Sequence, residues 1–391
     1  MIKIAIDGNE ANVKNRVGSN TYAFAILTEL YKLTATRKNL DVTVLLSSKK
    51  LADLPTARPN WRYMIVGPQK LWTQWALPIH LFLHQNDYQI FFTPSHYAPR
   101  ISSVPYVSSV MDLAYLHYPK QFRRHDLLQL KNWTKYSVKN AQKIITISKF
   151  SKQEILKHYG REDKDVIVAY PSFQFTTSAP IEQTRQFFKN HSIHNKYFLY
   201  LGTIQPRKNI TGIIDAYEVF LRKLAAANLR TKKANKRQPK EPDLLIAGKV
   251  GWLADDILAR IKNSPFSKKI ILTGFVDDRF KRALYQNAIA SLLVSRYEGF
   301  GIPALESMQA GTIPIVANNS SLPEVVGQAG LLVKDNNPQA ISDAMLKAYQ
   351  MTHKEQLKAK TAMQRQIRKF SWREAAKIIF KVLEEKSKNV S

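Results

Sequence analysis

Ser295-Arg-Tyr-Glu298-Gly-Phe-Gly-Ile-Pro-Ala-Leu-Glu306 follows the apolar run Ala290–Val294 and leads into a helical pattern. The run predicts a buried parallel strand, and Pro303 is typical of a first helical position. A glycine-bearing turn between strand and helix exposes backbone N–H groups beside the positive helix end, which suits a diphosphate. Glu298 and Glu306 could each accept two hydrogen bonds from vicinal sugar hydroxyls. The alternative is a helix-capping acid plus a surface acid.

The same order of strand, turn and helix recurs on both sides of this stretch, which predicts an α/β fold with parallel sheets. Since 391 residues exceed the ~250–300 that a single core supports, we expect two domains. Both should be Rossmann-like and doubly wound, and they should face a central cleft. Strands are predicted at Ile2–Ile6, Val42–Leu46, Tyr63–Val66, Gln89–Phe92, Val107–Val110 and Lys143–Ile147, and then at Tyr197–Leu201, Leu244–Ala247, Ile270–Thr273, Ala290–Val294 and Ile313–Val316.

The domain boundaries follow from composition. Residues 1–172 are predicted as the N-terminal domain and residues 196–370 as the C-terminal domain. Between them, residues 173–195 are rich in Ser, Thr and Gln with Pro180, and we interpret them as a linker. Residues 371–391 carry apolar residues at helical spacing and predict an amphipathic terminal helix.

Two adjacent cations, Arg207 and Lys208, follow the predicted strand Tyr197–Leu201. In a parallel sheet they would face the same cleft as the Glu298 loop. There they could neutralise a leaving diphosphate, with Arg forking onto two oxygens and Lys acting as a point charge. A solvent-exposed basic turn is the alternative in a chain this basic.

Two weaker candidates lie in the N-terminal half. Gly18 belongs to a single-glycine loop before a helix, which could equally be a simple turn. Asp112 closes the strand Val107–Val110, where an acid either points into the cleft or caps the following segment. His80 and His84 are spaced i, i+4, but no third ligand is evident, so packing is favoured and no metal site is predicted.

The charge balance is strongly basic: 59 Lys and Arg against 30 Asp and Glu give a formal net charge of +29. Such a field attracts nucleic acid, anionic lipids or phosphorylated metabolites. From Arg222 to Lys240 there are basic residues and no acid, which is either an anion-binding arm or a solvated insertion. The chain has no cysteine, which excludes disulfides and thiolate chemistry, and it shows no signal peptide or apolar run long enough to span a membrane.

These motifs together resemble the retaining glycosyltransferases of family 4, which have the GT-B fold. The Glu298-to-Glu306 element and its continuation Ala310-Gly-Thr-Ile-Pro-Ile-Val-Ala-Asn-Asn-Ser-Ser-Leu-Pro-Glu324 are similar to that family's signature. Leu201-Gly-Thr-Ile-Gln-Pro-Arg-Lys-Asn209 is similar to the donor-phosphate motif of the mannosyltransferase-like branch. Segments similar to the family occur in the same order as in its members, from residue 2 to about residue 385.

The resemblance implies a role for each matching residue. Glu306 would hold the nucleotide ribose, and Glu298 would hold sugar hydroxyls near the reacting carbon. Arg207 and Lys208 would grip the diphosphate. The remaining implied contacts are backbone amides of Gly299, Phe300, Gly301 and Ile302 on the diphosphate, close approach of the Gly18 loop to the phosphate, and Asp112 as a catalytic residue of the cleft. The terminal helix would pack back on the N-terminal domain.

Two departures from the family pattern bear on the acceptor side. Relatives often carry His-Asp where this chain has Met111-Asp112. Since Met111 cannot make the hydrogen bonds of that histidine, Asp112 or a backbone carbonyl would have to make them. Relatives also often carry a glycine-containing turn where this chain has Tyr170-Pro-Ser172, so we expect a stiffer hinge.

The function that the resemblance implies is hexosyl transfer, with mannosyl favoured, from a nucleotide diphosphate sugar to a glycan or lipid-linked acceptor in cell-surface polysaccharide synthesis. Since Arg207 and Lys208 would stabilise the leaving diphosphate, we expect no metal or other cofactor. The expected location is cytoplasmic, with the Arg222–Lys240 arm as a contact to an anionic membrane. The alternatives are a basic nucleic-acid-binding protein, although no binding module is recognisable, and a sugar-nucleotide epimerase on the same fold.

Overall fold

The computed structural model describes residues 1–232, 241–334 and 337–388, except for the side chains of residues 228–232 and 388. The chain divides into two compact units. Unit 1 comprises residues 1–171 and 370–391, and unit 2 comprises residues 172–369.

Unit 1 is built on a seven-stranded parallel sheet in the order β3-β2-β1-β4-β5-β6-β7. Strands β4 and β5 are buried at every position, as expected for a parallel sheet with both faces covered. A single π-helical turn, Trp72–Ala76, leads into helix α2. The strands are β1 (Ile2–Asp7), β2 (Leu40–Leu46), β3 (Trp61–Ile65), β4 (Ile90–Thr93), β5 (Tyr106–Val110), β6 (Lys143–Thr146) and β7 (Val166–Val168). The helices are α1 (Ser19–Leu33), α2 (Leu77–Leu83), α3 (Ala114–His117), α4 (Arg124–Asn140) and α5 (Lys149–Tyr159).

Unit 2 repeats this plan with a six-stranded parallel sheet in the order β10-β9-β8-β11-β12-β13. Both sheets therefore begin at a central strand, extend to one side, and then return to extend on the other side, which is the doubly wound arrangement. The strands are β8 (Tyr197–Leu201), β9 (Asp243–Ala247), β10 (Ile270–Gly274), β11 (Ala288–Leu293), β12 (Pro314–Ala317) and β13 (Leu331–Val333). The helices are α6 (Ile181–Asn190), α7 (Ile210–Lys232), α8 (Asp255–Lys262), α9 (Asp278–Asn287), α10 (Ile302–Gln309), α11 (Leu322–Val326), α12 (Pro338–Gln350) and α13 (His353–Ile367).

The last helix, α14 (Trp372–Lys388), belongs to unit 1 although the chain reaches it from unit 2. It packs against α1 and β1. Trp372 meets Tyr22 edge-to-face with ring centroids 5.9 Å apart. Ala376 and Ile379 are completely buried, so the apolar face that the sequence predicts for this helix is covered by its own unit.

The structure confirms the two doubly wound parallel sheets and places every predicted strand within two residues of an observed one. The interpretation of residues 173–195 as a linker requires correction, because they contain helix α6 and lie inside unit 2. Phe187 of α6 stacks on Phe280 of α9 at 4.6 Å, and this apolar contact holds the segment against the unit 2 core. Helix α6 was not predicted because the residues before it are rich in Ser and Thr, and this composition is typical of a linker.

The predicted basic arm, Arg222–Lys240, falls partly outside the described residues, since residues 233–240 lie beyond them. Helix α7 extends to Lys232, and two of its cations have acidic partners. Arg222 lies 3.3 Å from Glu218, and Lys223 pairs with Asp343 of α12. Among the residues that the structure describes, none of the helices combines the length and the apolar character that a membrane span requires.

Candidate active site

The centre of the candidate site lies where the unit 2 sheet changes direction. Strands β8 and β11 are neighbours, yet the chain visits β9 and β10 on one side before it returns to β11 on the other. The loops after two such strands diverge and leave a crevice beyond their carboxyl ends, where doubly wound sheets bind ligands. The loop after β8 carries Arg207 and Lys208, and the loop after β11 carries Glu298.

The structure brings these three side chains together. Lys208 Nζ lies 2.5 Å from Glu298 Oε1, and an Arg207 guanidinium nitrogen lies 3.8 Å from Glu298 Oε2. Glu298 is only 7% exposed. Burial raises its pKa, but the charges of Lys208 and Arg207 outweigh burial and hold the pKa below its ordinary value. The cluster therefore keeps a buried carboxylate ionised and carries a net charge of about +1.

Hydrogen bonds fix the two loops to each other. The Arg296 N–H donates to the Arg207 carbonyl at 2.9 Å, and the Arg207 guanidinium donates to the Tyr297 carbonyl at 2.6 Å. Ser321 Oγ lies 2.9 Å from the carbonyl oxygens of both Glu298 and Phe300. The loop after β11 is thus held in one conformation by residues of both neighbouring loops, which keeps the Glu298 carboxylate in place.

The glycine turn after Glu298 has a backbone that other residues adopt poorly. Gly301 has φ +102°, and a Cβ there would lie 2.6 Å from Leu322 Cδ2. Gly299 and Phe300 are buried, and Ile302 begins α10 with Pro303 in its first turn. This geometry places the amino end of α10 directly after the Glu298 loop, as the sequence predicts.

Glu306 lies inside α10 and is 4% exposed. The Tyr285 hydroxyl donates to its Oε2 at 2.8 Å, and Lys281 Nζ lies 3.7 Å from Oε1. Burial raises the pKa of Glu306 despite the attraction of Lys281. The same carboxylate is the main reason that the pKa of Lys281 is raised although burial opposes it. Glu306 is therefore not the surface acid of the alternative interpretation.

The other two predicted residues lie in unit 1. Asp112 follows β5, and its Oδ1 accepts a hydrogen bond from the Ala114 N–H at 2.9 Å, which is the capping contact considered from the sequence. Its neighbour Met111 accepts from Ser151 Oγ through the backbone carbonyl at 2.9 Å. Gly18 has φ +53° immediately before α1, and a Cβ there would have no heavy atom within 4 Å. The backbone at Gly18 therefore borders open space, and its predicted approach to a phosphate stays a prediction.

Unit 1 has a pocket of its own at the carboxyl ends of β1 and β4, where its sheet changes direction. Asp7, Glu10, Ser95 and Gln129 supply polar lining. His96 lies between Ser95 and Tyr97 of this lining, and its Nε2 is buried without a hydrogen-bond partner in the described part of the chain. Burial lowers the pKa of His96 to about 4, although the charge of Asp112 opposes this shift.

Sequence reasoning missed several of these groups. Lys281 and Tyr285 are one turn apart on α9, but nothing in their local sequence indicates that they face Glu306. Ser321 lies within a motif similar to the family signature, but the sequence gives it no role. His96 was not predicted, because the burial of its Nε2 without a hydrogen-bond partner in the described part of the chain depends on the fold.

Comparisons with known proteins agree on one class. The family described as Glycosyl transferases group 1 matches residues 182–369. The O-antigen chain mannosyltransferase B of Escherichia coli is 28% identical over 313 residues, covering 79% of this chain and 76% of that protein. The serotype-specific mannosyltransferase WbdA of Escherichia coli is 28% identical over 277 residues, covering 64% of this chain but only 32% of WbdA. Anabaena Alr3699/HepE, solved with UDP and glucose, has a TM-score of 0.69 at 16% identity, covering 98% of this chain and all of HepE.

The protein defined by this fold and these matches is a glycosyltransferase that transfers hexosyl groups. Residues 182–369 match the group 1 glycosyltransferases, and the two Rossmann-like units are those of the GT-B fold. The resemblance seen in the sequence is confirmed at this level, whereas the roles of the individual site residues stay predictions.

Proposed function

We propose that this chain transfers a mannosyl group, with retention of the α-anomer, from a nucleotide diphosphate mannose to a glycan or lipid-linked acceptor in cell-surface polysaccharide synthesis. The observation that carries the proposal is the Arg207–Lys208–Glu298 cluster, with its buried carboxylate, at the point where the unit 2 sheet changes direction. The choice of mannose rests on the mannosyltransferases that this chain matches at 28% identity.

Arg207 and Lys208 would stabilise the leaving diphosphate. Both cations are held by Glu298, so they are already oriented when the donor arrives and need no reorganisation as charge develops. Backbone N–H groups from Gly299 to Ile302, at the amino end of α10, would add donors to the same phosphates. A protein site that supplies this much positive potential has no need of a divalent ion, and we propose that transfer proceeds without one.

The two glutamates would divide the donor between them. Glu298 is ionised well below neutral pH and would accept hydrogen bonds from hexose hydroxyls near the reacting carbon. Glu306 would accept hydrogen bonds from the ribose hydroxyls, with the Tyr285 hydroxyl holding one of its oxygens and the Lys281 ammonium 3.7 Å from the other. The acceptor oxygen would attack on the face that the diphosphate leaves.

The acceptor side would belong to unit 1. Asp112 is held by the Ala114 N–H and would act at the acceptor or at the transferred sugar. Met111 offers only its backbone where relatives often have a histidine, and that carbonyl already accepts from Ser151. The charge of Asp112 acts on His96, whose low pKa keeps its imidazole neutral and able to accept a hydrogen bond.

We also propose a cytoplasmic location with peripheral attachment to an anionic membrane, where a lipid-linked acceptor would lie. The support is an exposed apolar face on the segment Trp72–Leu83: Trp75 is 62% exposed, and Ile79 and Phe82 follow it at helical spacing. Residues 67–86 contain no acid, so nothing on this segment repels an anionic lipid surface. A second copy of the chain is a poorer occupant because it brings another +29 charges.

Liposome co-sedimentation tests the attachment. We expect Trp75→Ser/Phe82→Ser to weaken binding to vesicles that contain phosphatidylglycerol. Trp252→Ser/Phe275→Ser, which removes an exposed tryptophan and an exposed phenylalanine from unit 2, should bind like the wild type. A third variant with the Arg222–Lys240 cations changed to Gln measures the arm separately. Equal binding by the wild type and the Trp75/Phe82 variant would refute the apolar contact. Equal binding by the wild type and all three variants would refute both contacts.

A thermal-shift screen of nucleotide sugars tests the donor. A ligand that binds only the folded state raises the melting temperature. We expect nucleotide diphosphate mannose to raise it for the wild type in the presence of EDTA, and Lys208→Ala to show a much smaller rise. No shift with any mannose donor, or a shift that requires magnesium or manganese, would contradict the proposed donor site. Product analysis without acceptor excludes an epimerase if the donor sugar is unchanged.

A further inference from the structure

Three potential metal ligands lie close together in unit 1. None of them belongs to the loops after β8 and β11 that carry the candidate active site. Glu154 and His158 are one turn apart on α5, and His117 ends α3. Glu154 Oε2 pairs with His117 Nε2 and lies 3.6 Å from His158 Nε2. All three ligand atoms lie within 4.8 Å of one another.

From this arrangement we infer that His117, Glu154 and His158 form a site for a divalent transition metal, with Zn²⁺ as the expected ion. Two imidazole nitrogens and one carboxylate oxygen match the donor preference of Zn²⁺, and three protein ligands plus water complete a tetrahedron. Bonds of ~2.0–2.2 Å place tetrahedral ligand atoms about 3.4 Å apart, so the present spacing needs shifts of about 1 Å. Side-chain rotation of two partly exposed histidines supplies shifts of that size.

The exposure of the three side chains suits a metal site, because the carboxylate is mostly buried and the two imidazoles are partly exposed. The Glu154 side chain is 11% exposed, whereas His117 and His158 keep 33% and 31% of their side chains exposed. The carboxylate is therefore anchored in the unit, while solvent reaches both imidazoles and can deliver the ion and its fourth ligand. The two imidazole rings are nearly perpendicular, with centroids 5.4 Å apart, so they are not stacked in a way that blocks the space between them.

The metal would act as a clamp between two segments. His117 ends the short helix α3, which begins two residues after Asp112, and α5 is anchored to the sheet through β6. A bound ion would fix α3 to α5 and so restrain the segment that carries Asp112. This role is separate from the donor site, for which we propose no metal.

The test uses full-length, tag-free protein, because a histidine tag would itself bind zinc. After dialysis against EDTA and removal of the chelator, we expect calorimetric titration with Zn²⁺ to give one site per chain and to raise the melting temperature. Co²⁺ should give the visible absorption of a tetrahedral site. His158→Gln should weaken binding of both ions at least about tenfold, since even outer-shell changes cost 10–100-fold. His125→Gln, which removes a histidine with an 87% exposed side chain, is the matched control.

The outcomes are distinct. Loss of binding in His158→Gln with retention in His125→Gln supports the site. Equal Zn²⁺ affinity in the wild type and His158→Gln, or the absence of stoichiometric binding in the wild type, would overturn it and leave a His–Glu ion-pair network. His158 is used rather than His117, since its contact with Glu154 is longer and its removal leaves the His117–Glu154 pair intact.

Discussion

Glu298 and Lys208 are joined so closely that each determines the state of the other, and both should be required for transfer. We expect Glu298→Gln and Lys208→Ala each to lower kcat by at least ~100-fold, because each removes a group that acts on charge developing in the transition state. Steady-state rates with a nucleotide diphosphate mannose measure this. Lys262→Ala, an exposed lysine on α8, is the control. More than about a tenth of wild-type activity in both variants would refute the donor site.

A buried ion pair also affects folding, so its catalytic role must be separated from a structural one. Removing only Lys208 leaves the buried Glu298 carboxylate with the more distant Arg207 as its remaining cation, so this variant should be less stable than the wild type. The double variant Glu298→Gln/Lys208→Met removes both charges and should recover much of that stability. Activity should nevertheless stay lost, because the chemistry needs the charges themselves. Recovery of activity together with stability would show that the pair is only structural.

Asp7 should make stability depend on pH near neutrality. It ends β1, is 5% exposed and accepts a hydrogen bond from the Asn9 N–H at 3.0 Å. Burial raises its pKa to about 7, with the charge of Glu10 adding to the shift. The folded state thus holds a proton that the unfolded state releases, so the free energy of unfolding falls as pH rises from about 4 to about 7.

The side chain of Asp7→Asn cannot ionise, so this variant does not show the fall in the free energy of unfolding that Asp7 causes as pH rises. The urea midpoint of the variant, measured relative to the wild type, should therefore rise between about pH 5 and about pH 8. The comparison between the two proteins cancels the titration of other groups. A difference in midpoint that is the same at both pH values would show that Asp7 ionises normally in the folded protein.

At the scale of residues, proximity could be predicted where side-chain chemistry and position after a strand coincide. Arg207, Lys208 and Glu298 each follow a recognisable strand, and a parallel sheet brings such positions to one edge, so their meeting follows from topology. The Tyr285–Glu306 contact joins two helices, and its geometry depends on how the helices are rotated against the sheet. The His117–Glu154–His158 cluster was missed because 37 residues separate its first two members. Sequence spacing does not carry such information.

At the scale of elements, the turn between β11 and α10 should tolerate no side chain at Gly301. Gly301→Ala places a methyl group 2.6 Å from Leu322 Cδ2 and also forces a non-glycine residue to φ +102°. Strain at such a backbone position costs ~1–3 kcal/mol, and the contact adds to it. We expect a lower melting temperature and reduced kcat, since the α10 amides and the Glu298 loop would shift.

Gly274→Ala separates the two effects. Gly274 has φ +69°, but a Cβ there meets nothing within 4 Å, so this variant carries backbone strain without the contact. It should lose less stability than Gly301→Ala and should retain its activity. Equal loss of stability and activity in both variants would mean that the Leu322 contact is relieved without disturbing the turn.

Elements with a strong apolar run were predicted well, and weak ones were not. Strands β4 and β9 are buried at every position, and they contain the apolar runs Ile90–Phe92 and Leu244–Ala247, which are visible in the sequence. Strand β13 (Leu331–Val333) has only three residues at the edge of its sheet and was not predicted. Helix α6 was missed because its contacts with unit 2, such as Phe187 on Phe280, lie far apart in sequence.

At the scale of the whole molecule, the chain leaves unit 1 at residue 171 and returns to it at residue 370. Unit 1 is therefore complete only when α14 has been made and has packed against α1 and β1. The sequence predicts the amphipathic helix from its periodicity, and the resemblance implies where it packs. Neither indicates how strongly unit 1 depends on it.

We expect unit 1 to lose stability selectively when the buried face of α14 is disrupted. Ile379→Asp places a carboxylate at a completely buried position, where an unpaired charge is costly, whereas Ile378→Asp changes a neighbouring isoleucine that is 37% exposed. Hydrogen exchange followed by mass spectrometry should show that Ile379→Asp removes protection from amides in residues 1–171 and leaves β8–β12 protected, while Ile378→Asp resembles the wild type. Equal loss of protection in both units would mean that they unfold as one cooperative body, and unchanged protection would mean that α14 contributes little to unit 1.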